Sequence, residues 1–242
     1  ALVDELAAAP RGLVLVTGKG GVGKTTIAAA LAVALAGRGV DVLLSTTDPA
    51  AHLAATVEGE LPRLEVSRID PAAETRRYVA HVLETKGAAL DAEGRALLEE
   101  DLRSPCTEEV AVFHAFTRTV NQARGRLVIL DTAPTGHTLL LLDATGAYHR
   151  DVVRGAPADL AGRLVTPLLR LRDPAFTRPL LVTLPETPPL SEAAALQDDL
   201  RRAGLARRAF VVPWAPAPPH GLAALRALAR TDPAGAALVS RV

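Results

Sequence analysis

The chain has 242 residues, 49% of them apolar and 22% charged, and its 27 basic and 27 acidic side chains cancel to a pI near 7.2; this is a globular composition with material for one core and no long-range field to draw it to nucleic acid or an anionic bilayer. A single cysteine excludes an internal disulfide or CxxC metal clip, no apolar run reaches the roughly 18 residues of a membrane span, and no secretory leader is visible, so the expected compartment is the cytoplasm. Methionine is absent, so the expectation is a processed chain or a piece of a longer one.

Residues 1–11 read as a short amphipathic helix, followed by an apolar strand at Leu13–Thr17. Nine residues then carry the densest signal in the chain: Gly18, Lys19, Gly20, Gly21, Val22, Gly23, Lys24, Thr25 and Thr26. An Ala/Leu helix follows over 24–37, ended by Gly37-Arg38-Gly39. Strand, glycine-rich turn and helix is the setting of a phosphate-binding loop. Glycines let backbone N–H groups converge on phosphate oxygens, and the helix N-terminus favours the anion. Lys24 is placed to reach terminal phosphates and the Thr25 hydroxyl to ligate Mg²⁺.

Val42–Thr46 reads as the second strand, broken by Asp48-Pro49, and Leu64–Ile69 as a short third. A helical pattern over about 72–122 is interrupted at Gly87, Gly94 and Ser104-Pro105. Leu127-Val128-Ile129-Leu130 has the unbroken apolarity of a central parallel strand and leads into Asp131. Strands at 180–184 and 210–212 follow, with helices at 191–203 and 221–229 and a stiff proline-rich loop at 213–219. Alternating strands and helices predict an α/β fold, a doubly wound, mostly parallel sheet flanked by helices, in one domain over 1–242. Ligands of such sheets lie beyond the carboxyl strand ends, where the loop, Asp48 and Asp131 all fall. From the residues alone, Asp131 is either a Mg²⁺-binding acid or a helix N-cap, Asp48 either functional or an Asx-turn residue, Lys19 either functional or a solvated loop lysine, and Cys106 most simply a small buried hydrophobe.

The loop, with Lys19 directly after its first glycine, resembles the deviant Walker A subclass of P-loop ATPases (SIMIBI-type). Three further segments narrow the resemblance to the ArsA-type arsenite/antimonite-transporting ATPases, nearest the C-terminal half of the tandem enzymes: Asp131-Thr132-Ala133-Pro134-Thr135-Gly136-His137-Thr138, Ser45-Thr46-Thr47-Asp48-Pro49, and Ser104-Pro105-Cys106-Thr107-Glu108-Glu109. The resemblance runs from Leu2 to about Leu228 and lapses after Leu205, where the family's adenine-reading Asn and its following helix have no counterpart; the segment after Arg154 is abbreviated too.

What the resemblance implies is an ATP hydrolase that uses ATP and Mg²⁺ and is activated by As(III) or Sb(III), one half of a homodimer or of a tandem pseudodimer. Asp48 orients the attacking water, Thr25 and Asp131 hold Mg²⁺, and Lys19 reaches the nucleotide of a facing subunit. Cys106, His137 and Ser104 offer metalloid ligands, soft thiolate first, and one cysteine leaves the rest to come from the facing half. Glu186 and Pro213 lie toward the nucleotide, although both also fit ordinary strand-end turns. His52 and His114 carry no implied role. The implied partners are an integral membrane arsenite pump and an arsenite metallochaperone, at the cytoplasmic face of the membrane, with no nucleic acid. Two other readings remain: an ATPase that targets tail-anchored membrane proteins, disfavoured by the lack of methionine and of a second cysteine, and a non-hydrolysing regulatory half, disfavoured by Lys24, Asp48 and Asp131.

Overall fold

A computed structural model describes residues 2–48, 53–132, 145–146, 150, 166–184, 187–202 and 221–230. Five described strands, β1 (Gly12–Thr17), β2 (Val42–Thr46), β3 (Leu64–Val66), β4 (Leu127–Asp131) and β5 (Thr177–Leu181), form one sheet in the order β3-β2-β4-β1-β5, parallel at every pairing. The strand foreseen at 210–212 lies outside the described residues.

Strand alternation sorts the apolar side chains onto two faces. Val14, Val16, Val42, Leu44, Leu127 and Ile129 pack with α1 (Leu2–Ala8), α2 (Lys24–Ala36), α3 (Leu53–Val57) and α9 (Gly221–Arg230) through residues such as Leu6, Ala28, Leu35, Leu53 and Leu225. Leu13, Leu15, Leu43, Val128 and Leu130 face Phe116, Val120, Leu171, Leu196 and Leu200 of α6 (Pro105–Gln122), α7 (Pro167–Arg172) and α8 (Thr187–Arg202). Every residue of β1, β2 and β4 is buried, which is why those strands read as continuous apolar runs rather than alternations. The alanines of α2 let it lie close on the sheet; Ala28, Ala29 and Ala32 are fully buried. The expected doubly wound P-loop α/β fold is the fold observed.

The helical stretch divides into α4 (Pro71–Thr85), α5 (Ala92–Asp101) and α6, each opened by a side-chain cap: Asp70 accepts from the Ala73 N–H, Asp91 from the Gly94 N–H, and Ser104 from the Cys106 N–H. Gly94 therefore does not break a helix, as its type suggested; it lies in the first turn of α5, its N–H taken by Asp91 at 2.8 Å. His114 stacks on Tyr78 between α6 and α4, with ring centroids 5.4 Å apart.

β3 ends at Val66, three residues short of expectation, although the Ser67 and Ile69 N–H groups still bond to Leu44 and Thr46 carbonyls. β5 lies at 177–181, not 180–184. The apolar run Leu180-Leu181-Val182 drew the expectation forward past Pro179, a residue ordinarily confined to strand edges; among the described strands β5 ends the sheet order. The ladder is anchored outside that run, where the Leu13 N–H donates to the Phe176 carbonyl at 2.7 Å. Arg178 adds a clasp: its guanidinium donates to the carbonyls of Ala9 and Arg11, both at 3.1 Å, tying β5 to the turn between α1 and β1. Arg178→Met keeps the aliphatic stem and removes the donor from both carbonyls, the Ala9 contact part-buried and the Arg11 contact exposed. The expected loss is about 1–3 kcal/mol, read as a lower midpoint in urea denaturation with an unchanged m-value.

Candidate functional site

The register brings three strand ends level. Asp131 of β4 is paired with Val16 of β1 on one side and Thr46 of β2 on the other, and the Thr47 N–H continues the ladder to the Asp131 carbonyl at 3.0 Å. Beyond β1 the chain turns through the glycine-rich loop into α2. Gly18, Gly21 and Gly23 take φ of 150°, 79° and 90°, values that favour glycine. They serve different ends. A Cβ on Gly18 would lie 2.2 Å from the Val182 carbonyl oxygen, whereas none of the described residues stands within 4 Å of one on Gly21 or Gly23. Gly18 thus lets the chain leaving β5 press against the loop, and the other two keep its outer backbone open. Val22 is buried and anchors the loop. Gly23 has no side chain to cap α2, so no capping side chain competes there with an anion for the first N–H groups.

Two ionisable side chains are buried here, Lys24 at 6% exposure and Asp131 at 0%. The Lys24 ammonium donates to the Lys19 carbonyl at 2.9 Å. Burial lowers its pKa, and the charges of Asp131 and Asp48 push the other way. Burial raises the Asp131 carboxyl to about 6, against the Thr25 hydrogen bond and the Lys24 charge. Its Oδ2 accepts from the Thr25 hydroxyl at 2.7 Å and, at 3.4 Å, from the Thr46 hydroxyl, which itself accepts from the Asp48 N–H at 3.0 Å. Its Oδ1 is buried without a hydrogen-bond partner among the described residues. A half-satisfied buried carboxylate next to a hydroxyl, among oxygen donors only, fits a small hard cation such as Mg²⁺. Together these groups can clasp a polyanion: amides and an ammonium for phosphate oxygens, two oxygens for the cation that accompanies them.

Other expected residues fall elsewhere. Cys106 is exposed in the first turn of α6, which removes its reading as a packing residue. Ser104 lies beside it as the helix cap, its Oγ 3.3 Å from the Cys106 nitrogen. His52, His137, Glu186 and Pro213 lie outside the described residues. Among the described residues no three His, Cys, Asp or Glu side chains group as metal ligands, and no helix is long and apolar enough to cross a membrane. Lys19 is not solvated alone: its ammonium pairs with Glu192 of α8 at 2.5 Å. Sequence reasoning passed over Glu192, the Val182 carbonyl and the organising role of Thr46. Only Thr46 left a trace, as a polar residue closing an apolar strand.

A family model described as anion-transporting ATPase matches residues 12–154, from the start of β1 to beyond Asp131. The chain belongs to this family. It is 62% identical over 205 residues to an arsenical pump-driving ATPase of Escherichia coli and 61% identical over 204 residues to one of Acidiphilium multivorum, matches that cover 85% and 84% of this anion-transporting ATPase chain. In each case the match covers 35% of the relative, so the chain spans about a third of the length of these curated relatives. A protein named ATPase GET3 from Podospora anserina is 36% identical over 141 residues, covering 53% of this chain and 41% of that protein.

Proposed function

We propose that the chain is one ATP-hydrolysing half of an arsenical pump-driving ATPase. The observation that carries this reading is the Lys24–Thr25–Asp131 cluster, with a buried carboxylate oxygen unpartnered among the described residues, at the end of a glycine loop open to phosphate. The identity to proteins named for that activity supports the assignment of substrate.

In this reading the loop amides from Gly20 to Thr26 bind the nucleotide phosphates, and Lys24 exchanges the Lys19 carbonyl for terminal phosphate oxygens. Thr25 and Asp131 hold Mg²⁺, which when bound neutralises charge on those oxygens. Asp48, its backbone fixed by Thr46, orients the attacking water. Lys19 serves the nucleotide of a facing half, with Glu186 and Pro213 toward the nucleotide from later strand ends. Cys106, Ser104 and His137 supply ligands to As(III) or Sb(III), the cargo and activator. The exposure of Cys106 suits a ligand set completed from across an interface, so that metalloid binding draws two halves together and nucleotide sites form where they meet. The partners are that second half, an integral membrane pump at the cytoplasmic face, and a metallochaperone.

The test is the ATPase rate of the purified protein with and without antimonite. A several-fold rise that Cys106→Ala abolishes is the expected result. A rate indifferent to antimonite and to Cys106 overturns the arsenical assignment.

A further inference from the structure

Only three of the 27 basic residues of this chain are lysines: Lys19, Lys24 and Lys86. Two of them share one loop, and residue 19 connects both. Its carbonyl accepts from the Lys24 ammonium at 2.9 Å, while its own ammonium is held by Glu192 at 2.5 Å, 173 residues away in sequence. The approach of α8 to the loop has a visible cause. β5 is hydrogen-bonded to β1 and the Val182 N–H carries the ladder to the Thr17 carbonyl at 2.8 Å. Val182 then crosses against Gly18 where no side chain intervenes, and α8 begins five residues later. Glu192 lies in its second turn.

We propose that Glu192 is a positioning residue that keeps Lys19 in cis: in the nucleotide-free chain it holds the Lys19 ammonium against its own α8, and Lys19 becomes available to a facing subunit only by exchanging that carboxylate for the partner's phosphate. This deepens, and rests on, the reading of Lys19 as a residue that acts in trans. Both side chains are about half exposed, 40% for Lys19 and 48% for Glu192. The pair is therefore reachable by a docking surface and weak enough to release, since exposed ion pairs shift an equilibrium by about fivefold at most. A competitor of that strength lowers the apparent affinity of the trans contact by the same factor. The two lysines are linked in release. Phosphate that draws Lys24 off the Lys19 carbonyl removes one of the two contacts that fix residue 19, so nucleotide in the chain's own loop loosens the side chain destined for the other site.

The scarcity of lysine makes the test direct. Reductive ¹³C-methylation labels three side chains and the N-terminus, and Lys86→Arg and Lys19→Arg assign the signals. The expected result in the nucleotide-free protein is a Lys19 methyl resonance displaced from that of a free lysine, moved to the free position by 1 M NaCl or by Glu192→Gln and retained in Glu192→Asp. Adding ADP, Mg²⁺ and aluminium fluoride is then expected to move the signal in a manner that depends on protein concentration, with the midpoint about twofold to fivefold lower in Glu192→Gln. A Lys19 signal already at the free position and blind to Glu192→Gln overturns the cis contact. A Glu192-dependent signal that nucleotide leaves unmoved at every protein concentration overturns the trans reading, and the release step with it. A signal that responds to nucleotide with the same midpoint in wild type and Glu192→Gln leaves the trans reading standing and overturns the role of Glu192.

Discussion

Asp131→Asn is expected to make the protein more stable and inactive. The Asp131 carboxyl, fully buried, is pushed up to about 6 from an ordinary 3.8. Because the folded state holds its proton more tightly than the unfolded chain, folding is favoured at low pH, and that advantage is lost as the pH rises from 3.8 through 6. At neutral pH, without metal, the ionised carboxylate thus costs about 2–3 kcal/mol, at roughly 1.4 kcal/mol per pKa unit. An amide removes that cost, which is already net of the Lys24 attraction and the Thr25 hydrogen bond, so the gain is on the order of 2 kcal/mol. For a domain of this size that is on the order of 5 °C in Tm. Scanning calorimetry at pH 7.5 should show the gain, and it should narrow as the pH falls below 6 and close toward 3.8. Hydrolysis should drop by about 10²-fold or more, as when one preorganised charge-stabilising group is removed, and Mg²⁺ with nucleotide, expected to raise Tm in wild type, should not raise it in the variant. An unstabilised Asp131→Asn, or one that hydrolyses normally, would remove Asp131 from the cation site.

Gly18→Ala and Gly21→Ala should fail in opposite ways, although both add one methyl to the same loop. At Gly18 the methyl meets a backbone oxygen at 2.2 Å, at φ 150°. Backbone cannot swing aside as a side chain does, so either β5 or the loop must move. Strain and overpacking together are worth about 3 kcal/mol or more, and the variant should unfold earlier in urea whether or not nucleotide is present. At Gly21 the methyl meets none of the described residues. Its φ of 79° costs about 1–2 kcal/mol, so the protein folds, and the methyl stands where phosphate must approach. Nucleotide affinity should fall at least tenfold, measured by calorimetric titration. Equal destabilisation of the two variants would mean that the Val182 crossing is not rigid.

The strands β1, β2 and β4 were legible because burial on both faces writes an unbroken apolar run, and the loop was legible because phosphate chemistry demands glycine, lysine and threonine at fixed spacing. Leu180-Leu181-Val182 misled by three residues because apolarity marks burial and not strand position: Val182 lies past β5, where one last ladder bond to Thr17 leads into its crossing of Gly18. Gly94 misled because residue type speaks against a helix while position, three after the capping Asp91, speaks for one. Glu192 was not legible at all. An exposed glutamate in an amphipathic helix has no local feature to mark it, and its pairing with Lys19 exists only once β5 lies beside β1.

The strand order has a consequence for the chain as it is made. β1 and β2 are not neighbours; β4, more than 80 residues after β2 begins, is inserted between them. Until residues 127–131 leave the ribosome, β1 and β2 share only α2 and have no strand to join them in one sheet, and the acid that completes the cluster has not been made. Parallel pairing at such separation is slow to close. A nascent or truncated chain therefore carries a recognisable phosphate loop with no hydrolytic site behind it. On the reading proposed above, the order of the strands would keep an unfinished molecule from hydrolysing nucleotide before its sheet exists.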